Sequence, residues 1–159
     1  PVLYLQASRA NGEYAERLTG PDRANALDAA IAWARLAIES DGLVPVTSTY
    51  RPIGGLNRER VPHDAILLWE LLGGQLLKRA DVSPVESRHI YLAHAIQAFQ
   101  EASRLIPKEV VPERWAAAEI GAAQALYKLA VHDFDLQAGI NLGDAVDLLE
   151  NAQKLLDPE

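Results

Sequence analysis

Residues 92–107 read LAHAIQAFQEASRLIP, and their spacing decides how the rest of the chain is read. Leu92, Ala95, Ile96, Phe99 and Ala102 recur at intervals of three and four, which in an α-helix places them in one stripe along one face. Two further segments repeat the stripe: Leu27, Ala30, Ile31, Ala34 and Ala37, then Leu142, Ala145, Val146, Leu149 and Ala152. The shared pattern is L-x-x-A-[IV]-x-x-[AFL]-x-x-A. A helix that only covered a core could carry leucine throughout, whereas alanine at fixed levels admits another helix backbone at close range. The pattern therefore encodes close helix pairing, three times over. Each copy stops at a breaker, Gly42, Pro107 and Pro158 respectively.

A second helical segment precedes each copy. PERWAAAEIGAAQALYKLAV leads into the third, opened by Pro112 in a first-turn position with Glu113 favourable to the helix dipole. PHDAILLWELLGGQLLKRA leads into the second, and YLQASRANGEYAERL into the first, where Asn11-Gly12 weakens the helical signal. Gly73 and Gly121 sit mid-segment, where glycine costs about 1 kcal/mol relative to alanine, so both mark expected points of tight helix crossing. Ser83-Pro84-Val85-Glu86 predicts the start of a helix, with Ser83 as N-cap, Pro84 at the first helical position and Glu86 in capping-box register. The expected helices are 2–17, 21–40, 62–80, 84–105, 112–131 and 140–156. They pair as three antiparallel hairpins in an all-α fold, one domain over 1–159 with a long irregular insert at 41–61.

Composition agrees with that class. Ala and Leu together supply about 49 of the 159 residues and aromatics only 6%, a usage that leans to helix. With no cysteine, disulfides, zinc–thiolate sites and cysteine nucleophiles are excluded. AILLWELLGGQLL, 65–77, is too short for a membrane span of roughly 18 apolar residues and carries Glu70 and Gln75. A cytoplasmic location is the expectation. The absence of any methionine suggests a processed chain or a piece of a larger protein, from which a targeting segment could have been lost. The net charge of -7 falls wholly in the second half, since residues 1–80 hold nine basic and nine acidic side chains and 81–159 six and thirteen. Such a surface repels phosphates, which excludes nucleic acid and anionic membranes as expected partners and leaves proteins or peptides.

The second stripe resembles the tetratricopeptide repeat family, whose second helix carries Ala, a large residue four on, Ala three further and Pro five after that: Ala95, Phe99, Ala102 and Pro107 meet this spacing in full. Ala145, Leu149 and Ala152 meet it with Pro158 one residue late, and Ala30, Ala34 and Ala37 with a small central residue and no proline. Ile120-Gly121 and Leu72-Gly73 stand where the family's first helix has Leu-Gly. The family repeats every 34 residues, whereas the stripe leucines here, Leu27, Leu92 and Leu142, are 65 and then 50 apart. The resemblance implies a tetratricopeptide-like array serving as a protein-interaction scaffold, with first helices lining a groove. It places Leu67, Glu70, Leu77 and Lys78 in that groove from one hairpin and Trp115, Ala118, Ala122, Ala125 and Leu126 from the next. The implied partner is an amphipathic helix, a peptide or a second copy of the chain.

The insert DGLVPVTSTYRPIGGLNRERVP carries Arg51, Arg58 and Arg60 as a local basic patch, readable as an arm reaching the acidic half of another copy or as a solvated loop. Val44 to Tyr50 leans to an extended strand. Gly54-Gly55 lacks the Lys-Ser/Thr that a phosphate loop requires. Catalytic signals are sparse. Glu86-x-x-His89 occurs once where a dimetal bundle needs two such motifs, and His94 lies five residues from His89, on nearly the opposite face. His132 beside Asp133 reads as a helix-end residue, and Glu70 as the one acid among hydrophobes, whether a pKa-raised functional group or the polar edge of a buried helix. Trp33, Trp69 and Trp115 read as core anchors. A non-enzymatic interaction module without cofactor or metal is the leading expectation; the alternative is a helical bundle binding a small ligand or metal through Glu70, His89 and His94.

Overall fold

The structure, a computed structural model, describes residues 2–40, 63–132 and 136–156. They form six helices and no strand: α1 Val2–Ala15, α2 Gly20–Ser40, α3 His63–Asp81, α4 Val85–Leu105, α5 Pro112–His132 and α6 Leu136–Leu156. Short links join α1 to α2, α3 to α4 and α5 to α6, and each pair packs as a hairpin. Successive hairpins meet through α2 on α3 and α4 on α5, and the first helices touch, α1 with α3 and α3 with α5. No helix among the described residues is long and apolar enough to cross a membrane. The insert with Arg51, Arg58 and Arg60, its Val44–Tyr50 run and Gly54-Gly55, Asp133, and the side chain of His132 lie outside the described residues.

The alanines of the repeated stripe are buried in all three copies: Ala30, Ala34 and Ala37 in α2, Ala95 and Ala102 in α4, Ala145 and Ala152 in α6. One cluster spans the second helix of the first hairpin to the first helix of the third, gathering Ile31, Trp69, Leu72, Leu76, Phe99 and Ala122 among others. Phe99 is its keystone. A methyl group at Gly73 would come within 2.9 Å of the Phe99 ring, and one at Gly121 within 2.6 Å. Both glycines expected to mark tight crossings therefore face the same ring, one from α3 and one from α5. Of the tryptophans, Trp69 is buried in the core, Trp33 stacks on Tyr4 with centroids 5.7 Å apart, and Trp115 lies half-buried with the Lys108 ammonium 5.9 Å from its ring.

Ion pairs cross each junction between hairpins. Lys78 pairs with Glu16, Arg79 donates to both carboxylate oxygens of Asp28 at 2.7 and 3.2 Å, and Lys128 pairs with Asp81. The hydrogen bond from Arg79 to Asp28 raises the guanidinium pKa further, and the same group lies 4.7 Å over the Tyr91 ring. Such solvent-screened pairs contribute little to stability.

Three boundaries differ from expectation. α1 ends at Ala15, two residues short of the expected 17; it runs through Asn11-Gly12 as expected, where Asn11 Nδ2 donates to the Ala7 carbonyl and Gly12 provides the space that the Gln75 amide fills. Ser83 is not the N-cap of α4; Pro84 is, with φ -54° and ψ 151° and no side-chain cap. The Ser83 hydroxyl instead donates to the Arg79 carbonyl at 2.7 Å, closing the end of α3, and Arg88 Nε donates to the Ala80 carbonyl at 3.0 Å. Lastly, α6 begins at Leu136, four residues before the expected start. The third stripe departs too: its alanines are buried, but Leu142, Val146 and Leu149 are exposed.

Candidate functional site

α3 is central. Its helical period sends Trp69, Leu72 and Leu76 toward the core and leaves Leu67, Glu70, Leu71, Gly74 and Lys78 half-buried on the other side. A cavity lies on each flank of that second face. Between α1 and α3, about 720 Å³ is rimmed by Arg9, Glu13, Glu16, Arg17 and Lys78 and floored by Gly12, Leu71 and Gln75. Between α3 and α5, about 370 Å³ is lined by Leu67, Glu70, Phe99, Arg114, Ala117 and Ala118. At Gly74 a methyl group would meet nothing within 4 Å, so the ridge between the two cavities is low and open.

The floor of the first cavity holds an unusual group. Gln75 is 5% exposed, and its Oε1 is buried without a hydrogen-bond donor among the described residues. An amide oxygen so placed forfeits hydration with no return, a cost of roughly 1–3 kcal/mol. The rim is charged and mixed in sign. The hydrogen bond from Lys78 holds the Glu16 carboxyl below its ordinary pKa, while both groups stay largely in solvent.

The expected groove residues separate into two sets. Leu67, Glu70 and Lys78 line the two cavities, and Ala118 lines the second. Glu70 accepts from Arg114 Nε at 3.0 Å and Arg114 Nη2 at 2.9 Å, a two-pronged pair joining α3 to α5. Glu70 is thus the polar edge of its helix. Ala122, Ala125 and Leu126 are buried in helix–helix contacts, Leu77 packs half-buried on the core, and Trp115 is half-buried beside it. These five support the walls and offer little surface to a partner.

A third cavity, about 440 Å³, lies between α2 and α4 above α3. Ile38, Trp69, Leu72 and Leu76 form an apolar floor, and Arg35 and His94 stand at the rim. Partial burial lowers the His94 pKa, with the neighbouring Arg35 charge adding to the effect. Glu70, His89 and His94 do not converge. Glu70 lines the α3–α5 cavity, His94 this one, and His89 is exposed near the start of α4. No group of three or more His, Asp or Glu side chains suited to a metal occurs among the described residues.

The sequence marks none of Gln75, Gly12, Gly74 and Leu71 as a site residue; Gly12 reads only as a weak point in a helix. Gln75 was marked only as a polar residue interrupting an apolar run, which signals an interior position but not an unsatisfied acceptor. No protein-family model, curated protein or solved structure matches the chain.

Proposed function

We propose that the chain is a non-enzymatic interaction scaffold of tetratricopeptide-like build, seating a segment of a partner protein along the face of α3 between α1 and α5. The observation that carries this reading is the open face of α3, flanked by one cavity against α1 and another against α5, with charged side chains lining both. The rim of Arg9, Arg17, Glu13 and Glu16 suits a segment with charges of both signs. Selection from a displayed peptide library tests it. Peptides recovered with the native protein should lose binding to Gly74→Trp, which fills the ridge, and keep binding to His94→Ala. Recovered peptides indifferent to Gly74→Trp would remove the groove from the account.

A second reading, small-ligand binding, draws on the cavity beside His94, where Arg35 stands over an apolar floor. A compact amphipathic carboxylate matches that chemistry. Thermal-shift measurements with such acids should show stabilisation that His94→Ala and Arg35→Ala reduce; a flat response across the series argues against this second site.

A further inference from the structure

The valley between the second helices of adjacent hairpins occurs twice, and its two copies differ. Among the described residues, α2 and α4 flank α3 without close backbone approach to each other, and α4 and α6 flank α5 in the same way. In the valley between α4 and α6, Leu148 packs with Ile96 on Ala123 and Leu126 of α5. Counted along the repeated stripe from Leu142 and from Leu92, the place of Leu148 belongs in α4 to Ala98. Ala98 forms part of the wall of the cavity beside His94, about 440 Å³ in volume. A methyl group thus stands where the next repeat has an isobutyl group, and the hollow is what it leaves.

Charge on the rim of that hollow is arranged for a guest bearing both signs. Arg35 and Glu39 stand one helical turn apart on α2, and both line the cavity. Opposite charges at that spacing commonly pair, yet neither forms an ion pair with the other or with any other side chain among the described residues. Glu101, on the α4 side, is already held by Arg104 at 3.0 and 2.6 Å. Gln97, Gln100 and His94 complete the rim, and the imidazole is neutral at neutral pH because partial burial lowers its pKa. One cation and one carboxylate are therefore left to a guest, above an apolar floor of Ile38, Trp69, Leu72 and Leu76.

We infer that this cavity takes an α-amino acid with a large apolar side chain, held as its zwitterion: the side chain on the floor beside Ala98, the carboxylate on Arg35 and the ammonium on Glu39. The inference rests on the small-ligand reading of the cavity and adds the ammonium, with Glu39 as its partner, to the carboxylate. The volume lies within the range of small-molecule sites. A peptide end fits less well, because each terminus brings only one of the two charges and leaves Arg35 or Glu39 unanswered. Both rim groups are exposed to solvent, so each pair should change affinity by about two- to fivefold rather than by orders of magnitude. The site lies on the core-facing side of α3, opposite the partner groove, and uses none of its residues.

Titration calorimetry of the 159-residue chain at neutral pH with L-phenylalanine, 3-phenylpropionate, 2-phenylethylamine and glycine tests it. Phenylalanine should bind about two- to fivefold more tightly than either single-charge analogue, and glycine, which has no side chain for the floor, should not bind measurably. Glu39→Gln should erase the advantage of phenylalanine over phenylpropionate, and Arg35→Met its advantage over phenylethylamine. Ala98→Leu, which restores the side chain of the next repeat, should abolish binding; circular dichroism checks its folding, and the two rim variants decide alone if helix is lost. Three results overturn the inference and leave the carboxylate reading standing: phenylpropionate binding as tightly as phenylalanine, an advantage that survives Glu39→Gln, or undiminished binding by a folded Ala98→Leu chain. Phenylethylamine binding as tightly as phenylalanine, or no binding by any member of the series, removes both.

Discussion

Alanine in place of Gly121 would set a methyl group 2.6 Å from the Phe99 ring, and the ring has little room to retreat because Gly73 lies along its other edge, where an added methyl group would itself come within 2.9 Å. Gly121→Ala should therefore destabilise by about 1–3 kcal/mol despite alanine's better helix propensity. Phe99→Ala should cost about 3–5 kcal/mol. In the Phe99→Ala background, Gly121→Ala should become neutral or stabilising, and urea melts of the three variants and the native chain measure that reversal. Both glycines were legible in the sequence as crossing points, because glycine inside a long helical pattern needs a packing reason. That one ring fills both could not be read, since it depends on how three helices meet.

His94 makes a second prediction at this scale. Its folded pKa is lowered, so above about pH 6.5, the ordinary histidine value, the imidazole is neutral in both states and has no effect on stability. As the pH falls through that value the unfolded chain takes up the proton first, and stability drops until the lower folded pKa is passed. Thermal melts of the native chain should therefore fall faster with acidification than those of His94→Gln. Equal slopes would mean that the imidazole is as well solvated folded as unfolded.

At the scale of the element, the link between α3 and α4 shows how a correct helix can be reached by an unexpected route. Ser-Pro-Val-Glu reads as a capping box, and α4 does begin there, but ψ 151° makes Pro84 the boundary residue and frees Ser83. Ser83 then serves the preceding helix, donating to the Arg79 carbonyl and accepting from Arg79 Nη1 at 2.7 Å. Ser83→Ala should cost about 1 kcal/mol through the C-terminal end of α3 and the Asp28 pair that Arg79 holds. Glu86→Gln should change little, since no cap depends on it. A chevron or urea series on both variants distinguishes this from the capping-box assignment, under which both should destabilise. α1 and α6 teach the same lesson. Asn11-Gly12 is a turn signal in isolation, overridden when Gln75 of α3 fills the space beside Gly12. The early start of α6 lies in a stretch with weak local preference.

At the scale of the molecule, the order of helices and their pairing followed from one repeated stripe, because the spacing of small residues fixes which faces come together. The candidate site was only partly legible. Glu70 stood out as an acid among hydrophobes and proves to be held by Arg114, forty-four residues away and unreadable as its partner. Gln75 stayed hidden because an unsatisfied acceptor is a property of surroundings, not of sequence. Leu142, Val146 and Leu149 matched the buried pattern, yet burial requires a neighbour that the pattern itself does not supply.

The Phe99 side chain, gripped between α3 and α5, has one more consequence. A ring shared by three helices cannot leave any of them without loosening the other two, so α3, α4 and α5 should open as one cooperative unit. Amide hydrogen exchange ought then to find the slowest protons at matching free energies in the middle of those three helices, and Phe99→Leu should split that shared limit into separate values.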